Sequence, residues 1–98
     1  MGPTRLVRDA PLVTVGAHVR NATLSAAVTL TAPEGAGALL FTVEAKSIRA
    51  RLDGSAPDAS TGLLYPAGGP YTLGVVPAQT IKVIEAEATA IINYQWVA

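Results

Sequence analysis

The sequence predicts an all-β chain: a single-domain antiparallel β-sandwich or flattened β-barrel of roughly seven or eight strands, with an extended N-terminal arm. Three observations carry this expectation. Alternations of period two recur along the chain, clusters of Gly and Pro separate them, and no stretch holds a helical period. With 98 residues there is room for one hydrophobic core. The arm is placed at residues 1–18 and the sandwich domain at residues 19–98.

Taken in order, the arm holds Pro3 and Pro11, which lack an N–H and restrict the residues before them, so an extended run suits it better than a helix. A short edge strand is expected from Leu12 to Val15. From Ala22 to Thr31 the chain alternates, with Ala22, Leu24, Ala26, Val28 and Leu30 on one face, the pattern of a half-buried strand. "APEGAG" then supplies a turn. Leu39, Phe41, Val43 and Ala45 share the next face, and the series resumes out of phase at Ile48, Ala50 and Leu52. That slip predicts a β-bulge or bend near Lys46 and Ser47; two separate strands are the alternative. After the loop that follows Asp53 come "LLYP", "GGPYTLGVVP" and two strands, "QTIKVIEA" and "ATAIINYQWVA". The alanines of residues 85–92 invite a helix, but Ala88, Ala90, Ile92, Tyr94 and Trp96 keep a period of two.

Composition narrows the function. Half the residues are hydrophobic and 14% are charged, against roughly 25% in an average soluble domain. Seven basic side chains balance seven acidic ones, so neither nucleic acid nor an anionic membrane is an expected partner. The apolar runs are too short to span a bilayer, and "MGPTRLVRDAP" does not read as a signal peptide. The absence of cysteine suits assembly in a reducing cytoplasm.

Little in the chain points to catalysis, and no cofactor or metal is expected. His18 is the single histidine, with no acid or nucleophile at a recognisable spacing, and it reads as a surface residue at a strand end. Glu85 and Glu87 fall two apart on one strand face, which marks solvent rather than a carboxylate pair. In "RARLDGSAPDASTG" four side-chain oxygens, from Asp53, Ser55, Asp58 and Ser60, suggest calcium, but the spacing and the missing terminal glutamate do not fit an EF-hand loop. A structural turn fits better: Asp53 accepts hydrogen bonds from its own turn, Gly54 takes positive φ, Pro57 fixes φ, and Gly62 releases the next strand. Phe41 suits the core, while Tyr94 and Trp96 share one face of the last strand, as a core edge or a subunit contact.

The segment "VEAKSIRARLDGSAPDASTGLLYPAGGPYTL", followed by "IKVIEAEATAIINYQW", resembles roughly 100-residue proteins encoded among the head genes of tailed bacteriophages. The matching positions are Arg49, Arg51, Asp53, Gly54, Pro57, Ala59, Gly62, Ala67, Gly68, Ile81, Lys82, Ile84, Asn93 and Trp96, within about residues 22–97. The resemblance implies a non-enzymatic virion structural protein, most simply a capsid decoration (cement) protein on the outside of the head. It would be made in the host cytoplasm, clamp neighbouring major capsid subunits and assemble as a homotrimer. Partner-contact candidates are Arg5, Arg8, Leu12, Tyr94 and Trp96. An apolar surplus in Leu63, Leu64, Val75, Val76 and the Tyr94/Trp96 face supports self-assembly. The string "ARLDGSAPDAS" is also similar to a turn in immunoglobulin-like domains appended to chitobiase-type glycosidases, where it is a fold element. That resemblance supports a sandwich fold and weakens a sugar-binding reading; the rival function is an immunoglobulin-like carbohydrate-binding or tail/fibre-associated phage module, which expects an exposed ring platform at Tyr65, Tyr71 or Trp96.

Overall fold

Residues 13–98 are described by a computed structural model, and the expectations for Arg5, Arg8 and Leu12 lie outside the described residues. Eight strands follow one another: β1 Thr14–Asn21, β2 Val28–Thr31, β3 Ala38–Glu44, β4 Ile48–Arg51, β5 Leu63–Tyr65, β6 Gly68–Gly74, β7 Thr80–Glu85 and β8 Ile91–Val97. Their antiparallel pairs are nested: β1 with β8, β2 with β7, β3 with β6, β4 with β5. This is one long ribbon turning at the β4–β5 link. Further pairs, β3 with β8 and β4 with β7, roll the ribbon into two four-stranded sheets, ordered β1-β8-β3-β6 and β2-β7-β4-β5. The arrangement is a jelly roll, an antiparallel sandwich of the predicted class.

Alternation decides what each strand buries. Leu39, Phe41 and Val43 of β3, with Ile92 and Trp96 of β8, face Ile48 and Ala50 of β4 and Ile81 and Val83 of β7. Leu24, Leu39, Ile48, Ile81, Ile92 and Val83 are the largest fully buried side chains. Burial of each contributes about 1.5–3 kcal/mol relative to exposure.

Four boundaries differ from expectation, each for a local reason. β1 runs from Thr14 to Asn21 rather than from residue 12 to 15, so residues 14–18, assigned to the arm, are sheet residues. A bulge hides it in the sequence: Val15 pairs with Trp96 and Val19 with Tyr94, with Gly16 at φ +78° in between. The strand expected from Ala22 begins only at Val28. Asn21 Oδ1 accepts the Thr23 N–H (2.8 Å) and hydroxyl (3.0 Å), a side-chain turn that competes with the ladder, though Leu24 is still buried.

The phase slip after Val43 is not a bulge within one strand. β3 and β4 are separate strands in opposite sheets, joined where Ala45 takes φ +69° and the Lys46 N–H reaches Glu44 O at 2.8 Å; Ala45 and Leu52 are exposed rather than buried. Residues 85–90 contain no helix, yet β7 ends at Glu85. Glu87 and Ala88 lie in a bend and turn where Thr89 has φ +74°, so Glu85 and Glu87 do not share a strand face.

The topology sorts the links between two ends. Residues 32–37, 52–62 and 75–79 lie at one end, where Val13 leads into β1. Hydrogen bonds tie this loop end together, from the Ala32 N–H to Gln79 O (2.9 Å), Val75 to Gly37 (3.0 Å), Gly37 to Val97 (2.8 Å) and Ala98 to Val13 (2.8 Å).

Candidate functional site

The loop end begins with the segment between β4 and β5, and residues of the expected turn build it. Asp53 Oδ1 accepts the Ser55 N–H at 3.1 Å, and Gly54 has φ +85°. Pro57 is buried beneath the loop. Asp58 Oδ1 accepts the Ser60 N–H (2.9 Å) and hydroxyl (3.1 Å), and Asp58 and Thr61 exchange backbone hydrogen bonds. Arg49, from the outer face of β4, reaches under the loop: its Nε donates to Ala59 O and its Nη1 to Gly62 O, both at 3.0 Å. Gly62 has φ +135°, and a Cβ there would meet Ala50 O at 3.1 Å, Arg49 Cβ at 3.2 Å and Pro57 Cβ at 3.3 Å. Positive φ together with backbone approach of this kind favours glycine strongly. One oxygen of each carboxylate, Asp53 Oδ1 and Asp58 Oδ1, is thus engaged by the loop's own donors.

Electrostatics at the loop are local. The Arg51 guanidinium donates to both Asp53 oxygens, the one ion pair among the described residues, and with the Ser55 N–H it holds the Asp53 carboxyl below its ordinary range. The Ser60 N–H, then its hydroxyl, does the same for Asp58. Both carboxylates are exposed, so these pairs shape the loop more than they stabilise the fold.

Beside the loop runs β5, an edge strand paired only with β4. Leu63 and Leu64 are 52% and 49% exposed. A shallow groove of about 510 Å³ lies along this edge, lined by Ala50, Arg51, Leu52, Asp53, Thr61, Gly62 and Leu63. Among the described residues, the exposed large hydrophobic ones are Val13, Leu52, Leu63, Leu64 and Val76. All five occupy the loop end or the first two residues of the strand that leaves it. Isolated exposed leucines are ordinary, whereas their confinement to one end is the property of a contact surface.

Other sequence candidates fall elsewhere. Trp96 is 7% exposed and packs in the core with its ring centroid 6.1 Å from that of Tyr94, which is half-buried at the core edge. Val75 also belongs to the core, while Val76 is exposed. Tyr65 and Tyr71 join Phe41 in a mutual cluster, with centroids 5.0–5.3 Å apart, and Tyr71 Oη donates to Pro66 O at 2.8 Å. Tyr65 and Tyr71 are half-buried against buried Phe41, and Trp96 is in the core, so Tyr65, Tyr71 and Trp96 do not form an open stacking platform. His18 sits within β1 rather than at its end, exposed, with Nε2 3.3 Å from Asn93 Oδ1; Asn93 Nδ2 donates to Glu44 at 2.9 Å. The sequence reading missed Val13 and took Leu52 for an inward residue. Leu52 departs from the β4 alternation because the strand ends at Arg51.

No family model, curated protein or solved structure matches the chain.

Proposed function

We propose that the chain is a non-enzymatic virion structural protein of a tailed bacteriophage. In this reading it is a capsid decoration protein that seats its loop end on the outside of the head and bridges neighbouring major capsid subunits as a homotrimer. The observation that carries the reading is the collection of Val13, Leu52, Leu63, Leu64 and Val76 at one end of an otherwise well-formed sandwich. The resemblance of residues 22–97 to phage head proteins supports it, as does the lack of any charged side chain in the exposed strand β5. Jelly rolls occur in viral capsid and lectin domains alike, so topology by itself favours neither. The closed aromatic cluster favours contact over sugar binding. Closed cyclic trimers match the three-fold junctions of an icosahedral shell with one repeated contact.

Co-sedimentation with heads that lack the protein tests the proposal. Wild-type chain binds, and Val76→Asp and Leu52→Asp each weaken binding by about tenfold or more, since each removes one apolar contact of roughly 1.5 kcal/mol. Heads that bind neither wild type nor variants contradict it.

A further inference from the structure

We infer that the exposed edge of β5 receives residues 4–8 of a neighbouring copy as an added strand. The inference rests on the reading above that copies of this chain assemble. It starts from the four sheet edges, because an open edge offers unpaired backbone N–H and C=O groups and is normally blunted. β1 is blunted by its bulge at Gly16 and by exposed His18 and Arg20. β6 carries Pro70, which has no N–H to offer. In β2 the exposed side chains are Thr29 and Thr31, while Leu30 points inward. β5 alone leaves two large apolar side chains half exposed, one on each face, without a charge, proline or bulge inside the strand. The groove beside Leu63 gives an incoming apolar side chain a place to sit.

Sequence supplies an occupant. Between Pro3 and Pro11, "TRLVR" is free of proline and glycine, with Leu6 at its centre. Antiparallel addition, the commoner mode, with Leu6 beside Leu63 points Arg8 toward the loop that carries Asp58. Asp58 has no cation within ion-pair distance among the described residues.

Geometry argues for a neighbouring copy over the same chain. β1 and β5 are edges of different sheets, at opposite corners of the sandwich. Crossing from one to the other spans about 20 Å, from strand spacings near 4.8 Å and a sheet separation near 10 Å. At about 3.3 Å per residue that crossing consumes roughly six residues, and with them much of the proline-free stretch. A donor at one corner and an acceptor at the other instead make a head-to-tail contact, the kind that closes into a ring.

The native chain has no cysteine, so cross-linking reads the contact directly. Full-length Leu6→Cys chain is mixed with full-length Leu63→Cys chain under mild oxidation. The expected result is about tenfold more cross-linked heterodimer than with Thr29→Cys on β2 as acceptor, because a docked thiol meets its partner at a high effective concentration. Equal yields from the two acceptors overturn the inference. So does a doubly substituted Leu6→Cys/Leu63→Cys chain that closes on itself as a cross-linked monomer. Light scattering separates this from the assembly reading. A wild-type trimer that persists after removal of residues 1–12 contradicts the added strand and leaves the trimer standing, whereas a monomeric wild type contradicts both.

Discussion

Arg49 and Gly62 hold each other in place. The Arg49 guanidinium donates to Gly62 O at 3.0 Å, and a Cβ on Gly62 would stand 3.2 Å from Arg49 Cβ. One residue is the clamp and the other is the space the clamp closes on. Gly62→Ala therefore destabilises the domain by about 2–3 kcal/mol, from a left-handed backbone plus crowding against Ala50 O. Gly54, with φ +85° and open space around it, loses only about 1 kcal/mol on the same change. Denaturant unfolding of the two variants side by side checks the difference, and equal losses contradict the crowding.

Truncation separates arm from sheet. Removing residues 1–12 leaves each copy folded, because Thr14 and Val15 remain paired with Val97 and Trp96, while the added strand inferred above predicts an earlier melt of the assembled form. Removing residues 1–15 costs about 1–2 kcal/mol, as half-buried Val15 is lost from the core edge. Thermal melts of both forms read this out.

The loop carboxylates respond to acid in a defined direction. Asp53 and Asp58 titrate below the ordinary 3.8 in the folded chain. A carboxyl depressed by folding contributes stability above its unfolded pKa and loses it as pH falls through the folded value, so the loop's anchoring is constant at neutral pH and decays only in the acid range below 3.8. Arg51→Gln raises the Asp53 midpoint and leaves Asp58 nearly unmoved, since Ser60 is the main cause there. Carboxyl carbon shifts across an acid titration check both.

Core and contact positions part company on substitution. Ile48→Ala, at a fully buried site, costs about 2–5 kcal/mol in folding. Leu64→Ala, at a half-exposed one, stays within about 1 kcal/mol, and on the proposed reading weakens self-association. A Leu64→Ala variant that unfolds as readily as Ile48→Ala contradicts the placement of Leu64 at the surface.

Much of this fold is legible in the residues. Period two in Leu39, Phe41 and Val43 marks a strand with one buried face, and Asp53, Gly54, Pro57 and Gly62 mark a turn through their backbone demands. The β3–β4 crossing is not legible, because Ala45 adopts positive φ without a glycine or proline to announce it. The real length of β1 is hidden by two extra residues between Val15 and Val19, which Gln95 Nε2 spans by donating to Val15 O (3.3 Å) and Gly16 O (3.0 Å), a contact 79–80 positions away in sequence. The candidate surface was half legible. Leu63, Leu64 and Val76 stand out as surplus apolar residues, but Trp96 does not betray that it fills the core, and only topology brings Val13 and Leu52 to the end that carries the others.

The proposed role as a decoration protein is read out most directly by a reconstruction of a phage head carrying the chain. The expected density places this sandwich on the outer surface at three-fold or quasi-three-fold junctions, with the end bearing Val13, Leu52 and Val76 against the shell. A chain found elsewhere in the particle, or seated on the head with that end turned to solvent, contradicts it.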